Sequence, residues 1–126
     1  MRYRAGKTLR LKNSREISRM FREGFRARDR RLTLIASPRD AGPETPSRVA
    51  AAVSSRHGRA VARNRVKRLC REAFRTSRDR LPAGWDFVMM PRPGADLTLT
   101  GLTDSLIALA AKVVASADRS VENRDE

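Results

Sequence analysis

The segment from Arg59 to Arg80, RAVARNRVKRLCREAFRTSRDR, limits the fold more than any other part of the chain. At about 100° per residue, Ala62, Val66, Leu69, Cys70, Ala73 and Ser77 fall within about 60° of a common midline. Asn64, Lys67, Arg68, Arg71, Arg75 and Arg78 fall on the opposite face. A helix of this kind must lay one side on a core and turn cations outward on the other. Pro82 and Gly84 stop it. The rest of the chain has to build the surface that covers the apolar stripe.

The flanking segments are suited to that task. Asn13 followed by Glu16 marks a helix start of the capping-box type. Ile17, Met20 and Phe21 then share one helix face, and Gly24 ends the element. Phe25–Arg28 and Leu32–Ser37 are predicted strands. Asp40–Ser47, with Gly42, Pro43 and Pro46, is a loop. Arg48–Ser54 (RVAAAVS) reads as a strand buried on both faces. The short loop before it predicts that 32–37 and 48–54 are antiparallel neighbours. Trp85–Met90 is a further strand closed by Pro91 and Pro93. Leu102–Ala117 is a last helix, with Leu102, Leu106, Leu109 and Val113 stacked along it. Residues 1–8 are expected to be loosely ordered, with Leu9 and Leu11 as anchors, and 118–126 to form a polar tail. The order helix, strands, helix, strand, helix gives an α+β fold, a small sheet with helices packed on it, in one domain over residues 1–117. A chain of 126 residues can bury about two thirds of its unfolded surface, enough for one core.

Charge narrows the function. The formal net charge is +14, from 28 Lys+Arg against 14 Asp+Glu. Residues 1–31 carry net +9, 32–53 net zero, 54–80 net +8 and 81–126 net −3. Two basic blocks therefore flank a neutral apolar segment, and both carry periodic apolar residues, unlike a disordered basic tail. Solvated helices mix signs for i, i+4 pairing, whereas residues 54–80 set 10 cations against 2 acids. Repulsion at that density points to a polyanionic partner, a nucleic acid ahead of a membrane surface. One cysteine excludes an intrachain disulfide and a multi-cysteine zinc site, and one histidine excludes a His-rich metal centre. No uninterrupted apolar run approaches the roughly 18 residues needed to span a bilayer. Leu106–Ala111 stops at Lys112, and the basic N-terminus lacks a signal-peptide apolar region. The expectation is a reduced, cytoplasmic, soluble protein.

Asn64, Arg68, Arg71 and Arg75 stand at i, i+4, i+7 and i+11 and form a ridge. Cations spaced about one turn apart, ~5.4 Å, can follow a line of phosphates. Asn64 adds a donor and an acceptor for a 2′-hydroxyl or a base edge. Glu72 has Arg68 and Arg75 as its expected ion-pair partners. His57 lacks a nucleophile and an orienting partner, so it is assigned to loop structure or one RNA hydrogen bond. Cys70 faces inward and is assigned to packing. Asp86 and Asp96 are too loosely spaced for a carboxylate pair, and Trp85 is a core or edge anchor.

Arg48–Ser54, Gly58-Arg-Ala-Val61 and above all RNRVKRLCRE at 63–72 resemble the bacterial ribonuclease P protein subunit. Leu11-Lys12 with Met20-Phe21 and Gly24 resembles that family's N-terminal helix, and WDFVMM followed by Pro-Arg-Pro-Gly94 its last strand and exit turn. The resemblance spans roughly residues 9–115. It implies an α–β sandwich with a left-handed crossover through the Arg-rich helix. It implies binding of a catalytic RNA subunit and of the 5′ leader of precursor tRNA, in an endonuclease whose active site and magnesium ions belong to the RNA. The protein subunit itself would hold no cofactor and act as a monomer in the complex, away from any membrane. Carried over by residue, Arg56, Arg59, Arg63, Asn64, Arg65, Lys67, Arg68 and Arg71 match RNA-contacting positions, and Arg75 extends the ridge. Phe21 matches an aromatic of the leader cleft, which Ile17 and Ile35 complete where many relatives carry rings. Ser55 stands where a Lys is common.

Other classes stay open on the residues alone. A ribosomal or chaperone-like RNA-binding protein shares the charge but does not require the RNR-x-KR-x-x-RE ridge. A self-sufficient nuclease needs clustered Asp, Glu or His beside the basic face, which the sequence lacks. A DNA-binding helix-turn-helix needs a short partner helix just before residue 59.

Overall fold

Asn13 caps the first helix as the sequence predicts. Its Oδ1 accepts from the backbone N–H of Arg15 at 2.9 Å and of Glu16 at 3.2 Å. The reciprocal half of the capping box is not formed, because the Glu16 carboxylate reaches across to Arg48 instead, at 2.8 Å. The computed structural model describes the backbone of residues 10–124 and the side chains of residues 10–118. The expectations for residues 1–8 and Leu9 lie outside the described residues.

The element order is α1 (Ser14–Glu23), β1 (Phe25–Arg28), β2 (Leu32–Pro38), β3 (Arg48–Ala51), α2 (Ala60–Ser77), β4 (Trp85–Pro91) and α3 (Leu99–Arg124). Three helices and a four-stranded sheet give the expected α+β class. The strand order is β1-β2-β4-β3, antiparallel except for the β3–β4 pair. This corrects the expected β2–β3 pairing: β4 is inserted between them. The insertion follows from hydrophobicity, since Phe87, Val88 and Met89 are fully buried and belong at the sheet centre. The expected strand 48–54 is also shorter and less buried. β3 ends at Ala51, and of its residues only Val49 is buried, as befits an edge strand. The backbone at Arg10 and Leu11 covers part of that edge, with the Leu11 N–H donating to the Val49 carbonyl at 2.9 Å.

Alternation along the strands sends side chains to two cores. Leu32, Leu34, Ala36, Val49, Phe87 and Met89 face α2 and α3. Ile35 and Val88 face α1, where Leu11 and Met20 complete a smaller cluster. The end of α1 approaches β2 so closely that a Cβ at Gly24 would lie 2.5 Å from Ile35 Cγ2. On α2 the buried residues are Cys70, Ala73, Phe74 and Ser77. Phe74 falls outside the predicted stripe because α2 packs on α3 as well as on the sheet, which widens its buried arc. The last helix also exceeds its predicted limits, starting at Leu99 and absorbing most of the expected polar tail. By length and average composition, Leu99–Asp118 is apolar enough to cross a membrane, although Asp104 and Lys112 interrupt it as an apolar run. Here its apolar stripe is a core face: Leu102, Leu106 and Val113 are fully buried.

Candidate nucleic-acid interface

Because β3 and β4 are parallel, their C-terminal ends lie at the same end of the sheet. The chain leaving β3 makes a short 3₁₀ turn, Ser55–His57, and Gly58 at φ 113° redirects it into α2. That backbone region disfavours any side chain. The His57 Nε2–H donates to the Pro91 carbonyl at 2.8 Å, tying the turn to the end of β4. His57 thus serves the loop, and Arg56 and Arg59 stand exposed just ahead of the helix. No side chain caps α2 and no acid stands in its first turn, so its positive end is not neutralised.

Packing of Cys70, Ala73 and Phe74 against the core turns the basic residues of α2 outward. Asn64, Arg65 and Arg68 are exposed; Arg63, Lys67 and Arg71 are half-buried. The Arg63 Nε is buried without a hydrogen-bond partner. Arg75 is exposed, but Glu72 holds it at both ends of its fork: Nε donates at 3.1 Å and the terminal amine donates to the other carboxylate oxygen. That hydrogen bond raises the Arg75 pKa and lowers that of Glu72. Arg68, the other expected partner of Glu72, has no ion pair among the described residues. Burial, and then the nearby charge of Arg10, lower the Arg71 pKa. Arg10, Lys12 and Arg71 line a groove of about 190 Å³ with Ile17, Val49 and Ala50, so α1, the β3 edge and α2 meet there.

The expected cleft residues occupy two depths. Ile35 is fully buried in the cluster beneath α1 and presents no surface to a ligand, which corrects its expected place in the leader cleft: α1 packs directly over it. Ile17 and Phe21 are half-buried on α1, packed against the Ile35 cluster together with Ala50, Ala52 and Met90. The Arg26 guanidinium donates to the Phe21 carbonyl and lies 5.9 Å from the Phe21 ring centroid. Beyond α1 the same sheet face stays open as a groove of about 250 Å³ lined by Thr33, Ala52, Met90 and Pro91, with Arg56 and Arg92 at its rim.

Several contributors escaped the sequence reading. Arg48 donates from Nε and its terminal amine to the two oxygens of Asp86 at 2.7 and 2.8 Å, and also binds Glu16. This ties α1 to the sheet and gives Asp86 a structural partner 38 residues away. Hydrogen bonding to Asp86 raises the Arg48 pKa. Only clustering of cations could have signalled Arg10, Lys12, Arg26 and Arg92, and that signal does not say where they meet. Among the described residues no group of three or more His, Cys, Asp or Glu could hold a metal ion.

The Ribonuclease P family model matches residues 6–114. This chain belongs to the ribonuclease P protein family. The ribonuclease P protein component of Halalkalibacterium halodurans is 36% identical over 108 residues, 83% of this chain and 89% of that protein. That of Brevibacillus brevis is 34% identical over 92% of this chain and 93% of its own length. The fold agrees with solved structures. The RNase P protein from Thermotoga maritima superimposes with a TM-score of 0.72 at 25% identity, covering 82% of this chain and 96% of that one. The Staphylococcus aureus RNase P protein gives 0.69 at 26% identity, covering 88% and 96%. The chain is a protein component of the ribonuclease P ribonucleoprotein and partners its RNA subunit.

Proposed function

We propose that α2 docks on the catalytic RNA of ribonuclease P while the α1 side of the sheet holds the 5′ leader of precursor tRNA, promoting cleavage at the 5′ end of the tRNA. In this reading Arg63, Asn64, Arg65, Lys67, Arg68 and Arg71 follow the RNA backbone, with Arg56, Arg59 and Arg75 flanking them. Ile17 and Phe21, packed over the buried Ile35, present the leader-binding surface on the α1 side of the sheet. The protein supplies binding; the RNA supplies the reaction and its magnesium ions. One copy acts per complex, in the cytoplasm.

The observation that carries the reading is that basic residues stand on both sides of the sheet, on α2 and around α1, and meet at the β3 edge where Arg71 and Arg10 line one groove. The apolar face of α2 is spent on the core it shares with α3, and the opposite sheet face keeps an open groove rimmed by Arg56 and Arg92. Purified protein, catalytic RNA and both together are assayed on precursor tRNA at low magnesium. Cleavage is expected with RNA present and faster with protein added. Cleavage by nuclease-free protein alone, or no effect of protein on the RNA reaction, would overturn the proposal.

A further inference from the structure

Two large apolar side chains are exposed among the described residues, and Val61 is much the more exposed, at 76% against 38% for Leu99. Val61 stands in the first turn of α2, where a β-branched residue has no propensity advantage and no core to reach. Beside it lies an open groove of about 600 Å³ whose apolar lining comes from Ala62, Val66 and Leu69 on α2 and from Ala95 and Leu97 after β4. Its rim carries His57, Arg59 and Arg65. Neither arginine has an ion-pair partner among the described residues. The adjoining helix start has no side-chain cap and no acid in its first turn.

An occupant matching these features has a flat apolar body and an anion attached beside it. A nucleotide has both. A base can lie on the Val61–Leu69 floor while its flanking phosphates meet Arg59, Arg65 and the positive end of the helix. An apolar protein segment would fill the floor but leave the cationic rim unpaired. A regular duplex would satisfy the rim but present no free base.

We propose that this groove receives one unstacked base of the RNA subunit, so that Val61 recognises a base while the neighbouring arginines bind phosphates. This rests on the docking of α2 on that RNA. Val61 touches no phosphate in this arrangement, so its loss has a different signature from the loss of an arginine.

The test uses protein reconstituted with full-length catalytic RNA. Val61→Thr keeps the shape and adds a hydroxyl; Val61→Ala removes the contact. Each is expected to weaken RNA binding about three- to tenfold, as partial loss of one buried valine would. The salt dependence should stay unchanged, whereas Arg65→Ala should flatten it. Base-specific chemical probing should find one unpaired nucleotide protected by the unsubstituted protein and reactive with Val61→Thr. Circular dichroism should show both variants folded. Binding unaffected by Val61 substitution, or no base whose protection depends on Val61, would overturn the inference and leave RNA docking through α2 intact. Failure of the unsubstituted protein to bind the RNA would overturn both.

Discussion

Phe21 has two jobs open to it, and its surroundings separate them. The ring is half-buried in the Ile35 cluster, with the Arg26 guanidinium 5.9 Å from its centroid. Phe21→Ala is expected to weaken precursor tRNA binding by the assembled enzyme by about 1–2 kcal/mol, the scale of one base contact. Binding of mature tRNA, which has no leader, should barely change in equilibrium titrations. Equal losses for both forms would assign Phe21 to packing alone. Asp86 is a different kind of residue, with its side chain only 11% exposed and bonded at both oxygens to Arg48. Asp86→Asn leaves Arg48 with Glu16 as its charged partner and one amide oxygen in place of a carboxylate, and should cost about 2 kcal/mol in denaturant unfolding. Arg19→Ala breaks an exposed helix-surface pair with Glu23 and should cost less than about 0.5 kcal/mol. A similar cost for both would mean that the Arg48–Asp86 pair between β3 and β4 adds little to the fold.

Among the elements, α2 divides its charge unevenly. Arg68 has no ion pair among the described residues, while Arg75 is gripped by Glu72. Arg68→Ala should therefore reduce the slope of log affinity against log salt by about one unit. Arg75→Ala should reduce it by less, because a phosphate must first displace a carboxylate. Equal slopes for both variants would refute this ordering. The boundaries and buried faces of α1 and α2 were largely legible, because capping by Asn13 and the 3.6-residue period are local properties. The sheet order was not. A short loop between 38 and 48 suggested a hairpin, and nothing within those residues reveals that Trp85–Pro91 will come between them. Phe74 was missed for the same reason, since its partner α3 is distant in sequence. The chemical character of the candidate surface was readable from Arg63 to Arg71, yet the depth of Ile35 required the fold. So did the meeting of Arg10 with Arg71.

For the molecule as a whole, Cys70 reports on integrity. It is fully buried, and burial pushes its pKa up to about 12. The fold therefore favours the neutral thiol. Its contribution is complete below the unfolded value near about 8.5 and is lost as pH rises from there towards the folded value. Alkylation of the native protein near neutral pH should proceed only as fast as the molecule opens, and Cys70→Ala should flatten the alkaline part of the stability profile. Rapid labelling of folded protein would show that α2 detaches from the core locally. The position of β4 in the sheet sets the order in which the chain can become a protein. During synthesis, Leu32–Pro38 has only its short hairpin partner, and Arg48–Ala51 has no neighbouring strand, until residues 85–91 have been made. Through that interval the Arg-rich helix has no finished sheet to lie on. The nascent chain is thus a polycation with an uncovered apolar stripe; one late central strand completes the sheet that stripe lies on and fixes the direction in which its cations point, and α3, made last, closes the core.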